Sequence, residues 1–209
     1  MFPVDVLLTY LVAVLVIVLA PGPDNILAIS RGLSQGPVAA ALSSLGAGAG
    51  IMIHTSAATL GLALILQTSP IAFWVVKAAG ATYLVWLGYK AISSRSLISF
   101  TASARQPLTR IYLTALLSNV LNPKPGLFVI AFLPQFVSVT RGPLALQMIV
   151  YGAIFAIITA VVFTILGSFA AQLSSWLSRS PRAIIAANIG AGITFVSAGL
   201  SILTLEHRR

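Results

Sequence analysis

Few side chains in this sequence could do chemistry, and two of them stand at similar interruptions. Asp24 follows Pro21-Gly22-Pro23, and Lys124 sits between Pro123 and Pro125, just after Asn122. The prolines lack a backbone N–H, and Gly22 has no side chain to favour helix. A helix arriving from Val4 should stop at the first interruption. A new one can start at Pro23, because proline is harmless at the first helical position. Such a break leaves polar backbone groups to satisfy. At membrane depth it is tolerated only where protein or a watery cavity covers it. The stretch reads either as a surface loop or as a broken helix lining a substrate site.

Asp24 has two compatible roles. It can act as a first-turn carboxylate on the new helix, or couple transport to a proton or cation. Asn25 can contact substrate or satisfy the broken backbone. With Asn122 as N-cap, Lys124 falls in the first turn, the wrong end of the helix dipole for a cation. A nearby anion resolves that conflict, either Asp24 or a substrate carboxylate. Otherwise Lys124 snorkels to an interface. Asp24 and Lys124 are expected to lie close together, with two half-helix N-termini converging on one place.

The remaining candidates are secondary. His54, beside Thr55 and Ser56, reads as a hydrogen-bonded packing residue, with a proton relay as the alternative. Arg31 pairs with anionic head groups or closes a cytoplasmic gate, and the first reading is preferred. Gly46 and Gly50 form a GxxxG that permits close helix contact. With two histidines, three acids and no cysteine, no metal site or cofactor is expected. Phosphate-loop, hydrolase and zinc motifs are absent, so the chain does not read as an enzyme.

The elements that must position these residues are apolar. The 209-residue chain has mean hydropathy +1.03 and 7% charged residues, against roughly 25% in soluble domains. Several runs exceed the roughly 18 apolar residues that mark a membrane span. The chain is therefore expected to be an integral membrane protein with little outside the bilayer. Its net charge of +9 has no soluble basic domain to present it, which argues against nucleic acid. The first twenty residues carry Asp5 and no basic leader, and read as a retained helix rather than a signal peptide.

Six apolar segments emerge. They run from Val4 to Ala20 with a second piece from Pro23 to Gln35, then Val38–Leu66, Ile71–Ile92, Arg110–Val139, Leu144–Leu173 and Ile184–Leu205. The fourth is interrupted at Asn122-Pro123-Lys124-Pro125-Gly126. The second is about 43 Å long. It must tilt, bend or protrude from a core of roughly 30 Å.

An internal repeat joins the two halves. Pro21-Gly22-Pro23 matches Pro123-Lys124-Pro125, and Gly36-Pro37-Val38-Ala39 matches Gly142-Pro143-Leu144-Ala145. Gly46-Ala47 corresponds to Gly152-Ala153, and Gly80-Ala81 to Gly190-Ala191. Three spans per copy send the second copy into the membrane from the opposite face, the inverted-repeat plan of many secondary transporters. Loop charges set the orientation. Arg31, Lys90, Arg95, Arg105, Arg110, Arg179 and Arg182 lie on one side, and Arg141, Arg208 and Arg209 on the other. The first side is then cytoplasmic and both termini periplasmic.

In these motifs the chain resembles the LysE/RhtB family of amino-acid exporters. The likeness rests on Pro21-Gly22-Pro23-Asp24-Asn25 with Arg31 and Gly36, and on Asn122-Pro123-Lys124 before Leu127-Phe128. Phe132-Leu133-Pro134-Gln135-Phe136, Tyr83-Leu84 and Leu87-Gly88 extend it over nearly the whole chain. Pro125-Gly126 departs from the small or apolar pair found in relatives. The resemblance implies export of an amino acid, coupled to protons, from a bacterial inner membrane.

The expected architecture is all-α: six transmembrane helices as two inverted three-helix repeats, with helices 1 and 4 broken at the proline motifs. One transmembrane domain covers residues 1–209, with repeats at about 1–95 and 110–209 around a linker at about 96–109. The expected function is a secondary-active exporter of a small zwitterion, working by alternating access. A passive channel or lipid-handling membrane protein is the alternative. Membrane lipids are partners, and self-association into a homo-oligomer stays open.

Overall fold

The computed structural model describes residues 2–20, 22–68, 70–93, 104–170 and scattered positions between 172 and 200. Pro21, the linker residues 94–103 and most of the sixth apolar segment lie outside the described residues, as do Arg179, Arg208 and Arg209.

Seven helices and two 3₁₀ turns make up the continuous described part, and no strand occurs among the described residues. Helix α1 spans Val4–Leu19 and α2 spans Pro23–Gln35, meeting at 62°. Helix α3 is Pro37–Thr68 and α4 is Pro70–Ser93. Helix α5 is Leu108–Leu121 and α6 starts at Pro123 and ends at Ala131. The α5 helix and the segment from Pro123 to Phe136 meet at 53°. Helix α7 is Leu144–Ser168. The expected breaks at Gly22 and Asn122 are both present. Pro23 and Pro123 each open the following helix at its first position, where the missing N–H does no harm.

Helix α3 includes an apolar stretch, Pro37–Gly61, long enough to cross a membrane, and α7 is another. Counting each bent pair as one span raises the total to four among the described residues. The chain is thus a helical, multi-pass membrane protein. Leucine, isoleucine and valine side chains along α1, α5 and α7 face outward, as lipid requires.

Helix α3 is the central post, packed against α5 and α7. Its small residues allow this. A side chain at Gly46 would strike the Tyr112 backbone of α5, and one at Gly50 would strike Asn119. The Gly46–Gly50 spacing therefore lines the contact with α5, while Gly48 faces Ala156 of α7. A buried aromatic cluster ties α1 to α7: the Tyr10 hydroxyl donates to the Tyr151 carbonyl at 2.7 Å, and the two rings stack edge to face at 4.6 Å.

Among the described residues two glycines carry positive φ, Gly36 at 81° and Gly142 at 115°. Each stands directly before a proline and ahead of a long helix, α3 or α7. These are matching positions of the repeat read from the sequence. A side chain would be strained at either place.

Candidate functional site

The two breaks face each other across one small cavity. Asp24, Asn25, Asn119, Asn122, Lys124 and Thr159 form its polar side. Ile17, Val18, Ile51, Phe155 and Phe163 form its apolar side. Its volume is about 20 Å³, room for about one water.

Asp24 lies in the first turn of α2, but its carboxylate bonds to the other half of the chain. Asn119 Nδ2 donates to Oδ2 at 2.8 Å, Asn122 Nδ2 donates to the same oxygen at 3.0 Å, and Ser118 Oγ donates to Oδ1 at 3.3 Å. All three donors are neutral, so the carboxylate is hydrogen-bonded without being neutralised. Bonds to an ionised acceptor are the strong kind.

Asn25 serves the backbone. Its Oδ1 accepts from Gly22 N at 2.8 Å, and its Nδ2 donates to the Ala20 carbonyl at 3.1 Å. The residue thus bridges the break with both ends of one amide. Asn122 works similarly in the second break. Its Oδ1 caps α6 by accepting from Lys124 N at 3.0 Å, and its Nδ2 reaches Asp24.

Lys124 points back across the site. Its Nζ donates to the Ala20 carbonyl at 2.7 Å. It shares the cavity with Asp24, as expected, but no ion pair within 4.0 Å joins them. The two charges are close, yet each is held by other groups. Gly22 makes room for the ammonium, since a Cβ there would stand 3.1 Å from Nζ. The N-terminus of α6 offers little to an anion. Pro123 and Pro125 have no N–H, and Lys124 N is already capped. Two converging half-helix ends are present, but only that of α2 keeps free donors in its first turn.

His54 lies on α3 with its Nε2 3.0 Å from the Asn119 carbonyl. That carbonyl can only accept, so Nε2 carries the proton. The ring packs over Gly126, where a Cβ would meet Cε1 at 2.9 Å. His54 thereby supports the residue that donates to Asp24. Arg31 is buried, 4% exposed. Its Nη1 donates to the Ala104 carbonyl at 2.9 Å and its Nη2 to Gln106 Oε1 at 3.0 Å. Gln35 joins it there. Its Nε2 donates to the Gln106 carbonyl at 2.9 Å, and Gln106 N donates to Gln35 Oε1 at 2.7 Å. The end of the linker is thus clamped to α2.

Sequence reasoning missed Ser118, Asn119, Thr159 and the two cavity phenylalanines. Isolated polar or aromatic residues in apolar helices declare no facing direction. The one available signal was Ser118-Asn119 lying one turn before Asn122.

Comparisons with known proteins place these features in context. The model of LysE type translocators matches residues 15–206. A membrane protein of Vibrio cholerae serotype O1 is 32% identical over 204 residues, covering 97% of this chain and 98% of its own. A homoserine/homoserine lactone efflux protein of Salmonella typhi is 29% identical, covering 95% and 96% respectively. A leucine efflux protein of Enterobacter sp. is 27% identical, covering 95% of each chain. No solved structure matches.

Proposed function

This chain belongs to the LysE type translocator family, and on that premise we propose that it exports a neutral amino acid from the bacterial cytoplasm in exchange for protons. The observation that carries the reading is a lone carboxylate, Asp24, held by neutral donors between two broken helices and opposite an apolar wall. The names of relatives that export homoserine and leucine support an amino-acid cargo.

The cavity suggests how such a cargo is recognised. Its ammonium belongs at Asp24, and its carboxylate at the N-terminus of α2, where the dipole favours an anion. Its side chain lies against Ile17, Val18, Ile51, Phe155 and Phe163. A lysine-like cargo carries a second cation, and Asp24 is the only acid among the described residues that line the cavity. An uncharged, largely apolar side chain fits this wall best.

Exchange follows from competition. A proton and the cargo ammonium need the same carboxylate. Protonation of Asp24 from outside releases cargo there, and loss of that proton inside readies the site again. With room for about one water, the cavity must open to admit an amino acid. Alternating access supplies that opening, with α2 and α6 as the elements that rearrange. The inverted six-span plan, with both termini periplasmic, gives the two faces of this cycle.

The test is efflux from proteoliposomes loaded with single labelled amino acids, with and without an imposed pH gradient. Concentrative, gradient-driven movement of leucine-like cargo and little movement of lysine supports the reading. A passive channel would equilibrate cargo and never concentrate it.

A further inference from the structure

The break between α1 and α2 leaves the buried carbonyl of its C-cap, Ala20 O, outside the helical ladder and in the same region as the Asp24 carboxylate. In transporters with unwound helices, such carbonyls coordinate the coupling sodium ion. Here the place at the carbonyl is already taken by a cation from the other half of the chain. Lys124 Nζ donates to Ala20 O at 2.7 Å, and Asn25 Nδ2 completes that oxygen at 3.1 Å. Two features favour the ammonium there, the C-terminal end of α1 and the nearby Asp24 carboxylate, and two oppose it. Lys124 stands in the first turn of α6, where the dipole repels a cation. The side chain is partly buried and forms no ion pair within 4.0 Å among the described residues. Gly22 leaves the space that the ammonium fills.

We propose that Lys124 is a built-in cation: its ammonium holds the position at Ala20 O and near Asp24 that a free monovalent cation would otherwise occupy, so that transport needs no sodium. The proposal rests on the reading of Asp24 as the coupling carboxylate. It assigns Lys124 to the first break, as a positioning residue rather than a ligand of the cargo carboxylate. Ala20 O needs a donor or cation wherever lipid and protein exclude water. The tethered ammonium supplies that donor from within the chain.

The experiment is thermal unfolding of the purified full-length protein in detergent, without cargo and without a pH gradient, so that its outcome is independent of export. Sodium, methylammonium and choline chlorides are compared at equal ionic strength. The unaltered protein should give the same Tm in all three. Lys124→Ala opens the position and should show a saturable rise in Tm with sodium or methylammonium, and none with choline, which is too large. Lys124→Met refills the space with an apolar chain and should respond to none. The Lys124→Ala response should vanish when Asp24→Asn is added.

The proposal is overturned if Lys124→Ala responds to neither small cation, or if Lys124→Met responds equally. Failure to recover Lys124→Ala in any of the salts also overturns it, because a free cation should restore the site. Sodium-dependent Tm in the unaltered protein overturns it too. If export fails while these shifts appear, the transport reading falls and the cation position stands. If export is proton-driven and the shifts are absent, only this inference falls.

Discussion

Asn122 holds its own half-helix with one end of its amide and Asp24 with the other, at 3.0 Å in each case. The two functions can be separated. Asn122→Ser keeps a capping oxygen and loses the bond to Asp24, whereas Asn122→Ala loses both. Cap loss is worth about 1 kcal/mol, and a bond to a charged group about 1.5–3 kcal/mol. Chemical or thermal unfolding should therefore place Ser between the unaltered protein and Ala. Equal stability of the two variants would show that the cap contributes nothing.

Asp24→Asn should fold. The new Oδ1 can accept from Asn119 and Asn122, and the new Nδ2 can donate to the Ser118 hydroxyl, so every present partner is kept. Without a titrating group, pH-driven export should fall at least about tenfold, a loss of about 1.4 kcal/mol or more in the driving step. Unchanged gradient-driven flux in this variant would remove Asp24 from coupling.

The donors to Asp24 should rank by geometry. Asn119 donates at 2.8 Å from a fully buried position, while Ser118 donates at 3.3 Å. Asn119→Ala should cost about 1.5–3 kcal/mol, and Ser118→Ala clearly less. A melting series that reverses this order would contradict the arrangement around the carboxylate.

Gln35 and Gln106 exchange two hydrogen bonds, in the manner of a short backbone bridge. Gln35→Ala should release the end of the linker from α2. Trypsin cleavage after the exposed Arg105 is the readout, and it should speed up several-fold in folded protein. An unchanged cleavage rate would mean that Arg31 alone holds this segment.

Membrane orientation gives a fifth expectation. A topology reporter after Ser99 should read cytoplasmic, and one at the C-terminus periplasmic, from the loop charge asymmetry. Both reporters on one side would refute the six-span inverted plan.

The sequence disclosed the breaks more readily than what surrounds them. Proline at Pro23 and Pro123 acts locally, through its own missing N–H, so the helix starts were legible. The Gly36 and Gly142 turns were legible as a repeated Gly-Pro pair for the same reason. Asn119 was not, because its role depends on how α5 is rotated against α3, which tertiary packing decides. The bonds of Arg31 to residues 104–106 were not legible, because nothing in its neighbourhood shows that this segment folds back over α2. The nearness of Asp24 and Lys124 was foreseen from the repeat. Their separate partners, Ala20 on one side and the asparagine pair on the other, depend on distances that no spacing encodes.

The crossed bonding of the two breaks also sets a schedule for biosynthesis. One partner of Ala20 O lies 104 residues further along the chain, and one partner of Asp24 lies 98 residues further. At about 5–20 residues per second, a ribosome needs about 5–20 seconds to supply them. During that interval the first broken span waits with its carbonyl held by Asn25 alone and its carboxylate unattended. The insertion machinery must shelter those groups from lipid until residues 119–124 arrive, so the first span to be made is among the last to be completed.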